Sequence, residues 1–210
     1  MARRKPEIDP FGYYHVSSRG SYGRPLFQAP ELHELYLSLY GRFSLKYGWR
    51  TLAWALMKNH YHFVIRLTRG GLSDGMRTIN SGFSRRIHAI EGETGMGHLV
   101  RHCFYGGPLK DEGGVLAACR YVDLNAPRAG LCESPENWHW SGHRASIGME
   151  SPRPFHCPED LLILLDRSPS RARAAYRDFV LAGLASDGLD PTSEQGVGTA
   201  TTLRMVESTR

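Results

Sequence analysis

The chain has 210 residues, 41% hydrophobic and 22% charged, enough for one ordinary domain with an appendage and a buried core. No run of about 18 apolar residues occurs, which argues against a membrane-spanning helix, and Met1-Ala2-Arg3-Arg4-Lys5-Pro6 lacks the apolar stretch of a secretion signal. The net charge of +5 is unevenly spread: 16 Lys and Arg face 7 Asp and Glu through Lys110, against 10 and 14 beyond it, so basic charge gathers in the first half, where it favours polyanions such as nucleic acid.

Tyr13 to Ser18 predicts a first strand, followed by a glycine-rich basic loop, Arg19-Gly20-Ser21-Tyr22-Gly23-Arg24-Pro25. Such a loop, carrying Arg19 and Arg24, can approach a phosphate backbone closely, although many loops of this kind are simple turns. From Glu31 to Lys46, Leu32, Leu35, Tyr36, Leu39 and Phe43 recur at helical spacing behind the starter Pro30. Trp49 to Met57 predicts a second strand, turned tightly at Lys58-Asn59 into a third that begins at His60.

A helix over Leu72 to Ile90 turns Leu72, Met76, Ile79, Phe83 and Ile87 inward and leaves Arg77, Arg85 and Arg86 outward. Arg85-Arg86 suits a nucleic-acid contact or a merely solvated face. Leu99 to Tyr105 predicts a fourth strand. The order β-α-β-β-α-β gives an α+β, ferredoxin-like plan: an antiparallel sheet with its two helices on one face. A further helix is expected over Gly113 to Leu124.

Pro152, Pro154 and Pro158 mark a linker, followed by helices at about Glu159–Leu165 and Ser170–Leu184, the latter capped by Ser170. The Gly/Ser/Thr-rich tail from Ser186 predicts disorder. These shifts divide the chain into a main domain (1–148), a small helical extension (149–185) and a tail (186–210). Cys103, Cys119, Cys132 and Cys157 form no C-x-x-C pair, so reduced thiols rather than a zinc site are expected.

Two stretches carry chemistry. Along the third strand His60, His62, Val64 and Arg66 share one face and Tyr61, Phe63, Ile65 and Leu67 the other. Two imidazoles about 6–7 Å apart along a strand suit a divalent cation or a phosphate clamp, and ordinary strand histidines look the same. In Arg120-Tyr121-Val122-Asp123-Leu124-Asn125, a helix would put Tyr121 and Asn125 on one face. Tyr121 could serve as a nucleophile toward a metal-polarised phosphate. The Asn125 amide oxygen could then join His60 and His62 around Mg²⁺ or Mn²⁺. A core tyrosine and a helix-ending asparagine would also fit.

Tyr-His-Val-Ser-Ser-Arg-Gly from Tyr14, Leu-Met-Lys-Asn-His-Tyr-His-Phe-Val from Leu56, Gly-His-Leu from Gly97 and Cys-Arg-Tyr-Val-Asp-Leu-Asn-Ala-Pro-Arg-Ala-Gly-Leu from Cys119 occur in that order. Together with Glu-Asn-Trp-His-Trp-Ser-Gly-His-Arg from Glu136, they resemble the HUH-type single-tyrosine transposases. The resemblance is to the REP-associated branch of the insertion-sequence 200/605 type, over roughly Phe11 to Gly148. It implies metal binding by His60, His62 and Asn125, and a Tyr121 nucleophile that forms a 5′-phosphotyrosine link and frees a 3′-OH. It also implies an added catalytic helix, a Mg²⁺ or Mn²⁺ cofactor, single-stranded or hairpin DNA as substrate, and a bacterial, cytoplasmic, nucleoid-associated setting.

Either a monomer or a homodimer fits the resemblance. Arg19, Arg24, Arg85, Arg86 and Arg128 are the candidate DNA contacts. The pattern departs at Lys58 and at Ala126-Pro127, where the family places proline differently, and at Arg101-His102-Cys103-Phe104. The prolines bear on backbone rigidity rather than chemistry. A domesticated hairpin-binding protein that does not cut DNA is the second functional reading.

Overall fold

The computed structural model describes residues 8–92, 99–100 and 105–185. Strands β1 (Tyr13–Arg19), β2 (Arg50–Met57), β3 (His60–Arg66) and β4 (Tyr105–Leu109) form one sheet in the order β2-β3-β1-β4, with every pair antiparallel. Helices α1 (Pro30–Tyr47) and α2 (Leu72–Glu91) follow β1 and β3. This is the ferredoxin-like β-α-β-β-α-β arrangement.

The alternation along β3 decides which face does what. Tyr61, Phe63 and Ile65 bury against α1 and α2 with Tyr36, Tyr40, Met76, Ile79 and Phe83, and Tyr40 stacks on Phe63 at 3.8 Å between ring centroids. The phenols of Tyr36 and Tyr61 both donate to Asn80 Oδ1, at 3.2 and 3.0 Å. Two polar groups are thereby satisfied inside an apolar layer, where an unmet donor would be costly.

The other face is covered as well. Helices α3 (Glu112–Asp123), α6 (Pro158–Leu162) and α7 (Pro169–Ala182) pack Val115, Ala118, Cys119, Val122, Leu161, Leu162, Tyr176 and Val180 onto Leu52, Ala53, Ala55 and Val64. Small residues on both sides, Ala53 and Ala55 against Ala118 and Cys119, bring α3 close to the strands. The free edge of β2 is covered by the segment leading to α6, where Leu56 N–H donates to the Trp140 carbonyl at 2.8 Å and Gly142 N–H to the Trp54 carbonyl at 2.9 Å. An uncovered edge strand would invite pairing with another chain.

Two expectations need correction. The fourth strand lies at Tyr105–Leu109, not at Leu99–Tyr105. Leu99 and Val100 are buried, but only Val100 forms a β-bridge, to Gly20. The observed strand contains Gly106-Gly107-Pro108, poor strand formers that an edge position tolerates. The C-terminal helix has Ser168 at its N-cap position and begins at Pro169; Pro at the first helical position sets the start one residue before Ser170. The expectations for 101–104 and for the 186–210 tail lie outside the described residues.

Candidate active site

His60 and His62 project from the α3 side of β3, beside β1: Arg19 pairs with His60, Ser17 with His62 and His15 with Val64. The two imidazoles lie 5.0 Å apart, nearly perpendicular at 89°. Helix α3 starts where the Asp111 side chain accepts from Gly114 N–H at 2.7 Å, and its last turn brings Tyr121 over the histidines. The Tyr121 ring stands edge-on to His62 at 5.5 Å and to His15 at 5.6 Å.

The helix breaks after Asp123, and Asn125 opens a separate short helix, α4 (Asn125–Arg128). One continuous helical face therefore does not join Tyr121 to Asn125. The two are joined by a hydrogen bond, Asn125 Nδ2 donating to the Tyr121 carbonyl at 2.9 Å. The Asn125 side chain also lies close enough to the His60 ring to act on its charge. His60, His62, Tyr121 and Asn125 are thus brought together.

Ring chemistry can be followed atom by atom. His60 Nδ1 lies 2.8 Å from Asn59 Oδ1; an amide oxygen only accepts, so Nδ1 carries the proton and the neutral ring keeps its lone pair on Nε2. His62 Nδ1 lies 2.9 Å from His15 Nε2, and those two rings stack at 5.1 Å. When His62 donates through Nδ1, its Nε2 is left as a ligand atom, as in metal sites where a second residue fixes the tautomer.

Burial lowers the pKa of His60, aided by the Arg19 charge and opposed by the Asn125 hydrogen bond. Burial, then the His15, His60 and Arg19 charges, hold His62 well below the ordinary imidazole range. Neutral rings are the ligating form. Two imidazole nitrogens and one amide oxygen are donors of the kind that could hold a divalent cation.

His15 was missed by sequence reasoning. It is fully buried, and only the β1–β3 register places it diagonally beside His62. An inward histidine on the first strand was the available signal.

The arginines divide. Arg19 is exposed beside the histidines, and Arg24 pairs with Glu91 at 2.6 Å. Arg85 and Arg86 are exposed on α2, which covers the opposite face of the sheet. Arg128 is exposed and donates to the Gly183 carbonyl at 3.0 Å, tying α4 to the end of α7.

Behind α3, Asp123 Oδ2 accepts from the Tyr176 phenol at 2.7 Å and meets His143 Nδ1 at 2.8 Å. All three side chains are buried. This cluster fastens the tyrosine-bearing helix to α5 (His143–Ser146) and α7.

The family model described as "Transposase IS200 like" matches residues 12–122. No curated protein matches the chain. Among solved structures, one described as "Structure of the REP associates tyrosine transposase bound to a REP hairpin" is similar at 15% identity and a TM-score of 0.60, covering 72% of this chain and 89% of that one.

Proposed function

The chain belongs to the IS200-like transposase family, and from that premise we propose that it cleaves and rejoins single-stranded or hairpin DNA through a covalent bond to Tyr121. What carries the reading is the Tyr121 ring against His62, with His60 and Asn125 completing one contiguous group.

The Tyr121 oxygen attacks the phosphorus of a DNA phosphodiester, forming a tyrosyl ester on the 5′-phosphate. The bond to the 3′ oxygen breaks, the phenol gives up its proton and the departing oxygen becomes a 3′-OH. Attack of a 3′-OH on the phosphotyrosine reverses the step and restores the phenol. One ester replaces another in each direction, so no nucleotide triphosphate is consumed.

A divalent cation held by His60, His62 and Asn125 would supply charge neutralisation at the phosphate. The residues themselves orient and hold. Asn125 holds the Tyr121 backbone beside the His60 ring, the buried Asp123 cluster anchors α3, and Arg19 brings positive charge where a strand would enter. The hairpin bound by the structural neighbour suggests hairpin DNA as the substrate to try first.

The test uses labelled single-stranded hairpins from the DNA flanking the gene, with Mn²⁺ or Mg²⁺, resolved on denaturing protein gels. A band at protein-plus-DNA mass that disappears in Tyr121→Phe is expected. Cleavage that persists in Tyr121→Phe overturns the mechanism. A stable native complex with no adduct under either metal would instead favour the non-cleaving hairpin binder.

A further inference from the structure

We propose that Tyr22 is a stacking platform for an unpaired base of the DNA strand entering the site. This deepens the DNA reading above and rests on it.

Tyr22 is fully exposed, at 104% of its reference area, so its ring contributes no burial to the fold. Its backbone is left-handed, at φ 53° and ψ 28°, and it is the only non-glycine residue with positive φ among those described. Gly23 follows at φ 77°, and Arg24 N–H closes on the Ser21 carbonyl at 3.0 Å. Two successive positive φ values with that closure make the pattern of a type I′ turn, whose central positions favour Asn, Asp and Gly. A tyrosine at the first central position is unfavourable for the backbone and unused by the core. An aromatic face held out to solvent is the group that gains by leaving water against another π surface.

The backbone on either side of the ring is held in a fixed place. Gly20 N–H donates to the Asn59 carbonyl at 2.8 Å, Ser21 N–H to the Leu99 carbonyl at 2.8 Å, and Leu26 and Phe27 N–H to the Lys58 carbonyl at 2.8 and 3.0 Å. A Cβ on Gly20 would lie 1.9 Å from the Arg24 carbonyl oxygen, so the turn folds on itself only because glycine stands there. Lys58 and Asn59 form the hairpin turn that delivers His60, and Arg19 is the register partner of His60. The loop that carries the exposed ring is thereby fastened at the end of the β1–β3 pair where Arg19 and His60 meet. Single-strand sites combine these two elements: cations that follow the backbone and aromatic faces that accept bases of any sequence.

Because stacking tolerates any base, the test does not require the cognate sequence. Full-length protein in EDTA is titrated at fixed salt against a fluorescein-labelled hairpin bearing a single-stranded flank of mixed sequence (about 6–10 nucleotides, within the reach of a single-strand groove). The same hairpin without the flank serves as control. Tyr22→Asn removes the ring and relaxes the turn; Tyr22→Trp keeps a stacking face.

Tyr22→Asn is expected to melt no lower than the wild type, to bind the flanked hairpin about 5- to 100-fold more weakly and to bind the blunt hairpin unchanged. Tyr22→Trp should retain flanked binding. Equal binding of the flanked hairpin by Tyr22→Asn and wild type overturns the proposal, as does an equal loss on both probes. Wild-type protein that binds neither probe overturns it together with the DNA reading. Flank-dependent loss without any Tyr121 adduct supports the platform while removing strand transfer.

Discussion

His15 shows how much a single side chain depends on register. Its Nε2 sits 2.9 Å from His62 Nδ1 and its ring stacks on the same imidazole, so it restrains both the tautomer and the tilt of a proposed metal ligand. Replacement by phenylalanine keeps an aromatic ring in the slot and deletes the hydrogen bond. Losing a partner of this kind weakens metal affinity by about 10–100-fold. Calorimetric titration of the DNA-free His15→Phe protein with Mn²⁺ should show a fall of that size, with melting measured in parallel to confirm folding. An unchanged affinity would mean that His62 needs no such partner. The pairing of His60 with His62 was legible in the sequence because it is written in local spacing along one strand. His15 was not, because its role arises only when β1 lies against β3 in one particular register.

Among the elements, α3 decides whether Tyr121 meets the histidines, and it is fastened at its C-terminal end. Asp123 is a buried carboxylate held by the Tyr176 phenol and His143, so α7 lies behind the tyrosine-bearing helix as its support. Tyr176→Phe removes one donor from that carboxylate without changing the ring. Leaving a buried acceptor short of a partner costs about 1–3 kcal/mol, which in a domain of this size lowers the melting temperature by about 2–12 °C. Scanning calorimetry should find that drop; an unshifted transition would mean that Asp123 is held well enough by His143 alone.

The longer helices and the first three strands followed from the sequence pattern, whereas the short α4 and α5 did not. The fourth strand did not, because Leu99-Val100 carries the apolar signal while Tyr105–Leu109, with two glycines and a proline, carries the ladder. The break at Leu124 was equally hidden, since nothing in Asp123-Leu124-Asn125 forbids a continuing turn.

For the molecule as a whole, the basic first half supplies the sheet and most of the arginines around its rim, while the acidic second half supplies the cover of the histidine-bearing face. Asp160 on α6 binds Arg50 at the start of β2, with Arg66 at 3.7 Å. Composition revealed this division of charge but not that the halves interlock.

Burial has gathered imidazoles from several elements whose pKa values lie below the ordinary one: His33, His60, His62 and His156, each with desolvation as the leading cause. In the unfolded chain they take up protons near pH 6.5, whereas the folded protein refuses them until lower pH. Between those limits the unfolded state binds more protons, so stability rises with pH, is fully present above about 6.5 and is eroded as pH falls. Each unmatched proton contributes about 1.4 kcal/mol per pH unit. The arginine-paired carboxylates Glu34 and Glu136 are themselves lowered and add their losses only below about pH 4.5, which leaves the window from 6.5 to 5 to the imidazoles.

Metal-free protein denatured by urea across that window should therefore lose stability steadily toward pH 5. His156 donates toward the Leu52 carbonyl at 3.2 Å, a role the amide of His156→Gln can take over without a titrating ring. That variant should show a slope shallower by one proton's share. A slope that is already flat in the wild type would mean that the buried imidazoles accept protons in place and that burial does not hold their pKa values down.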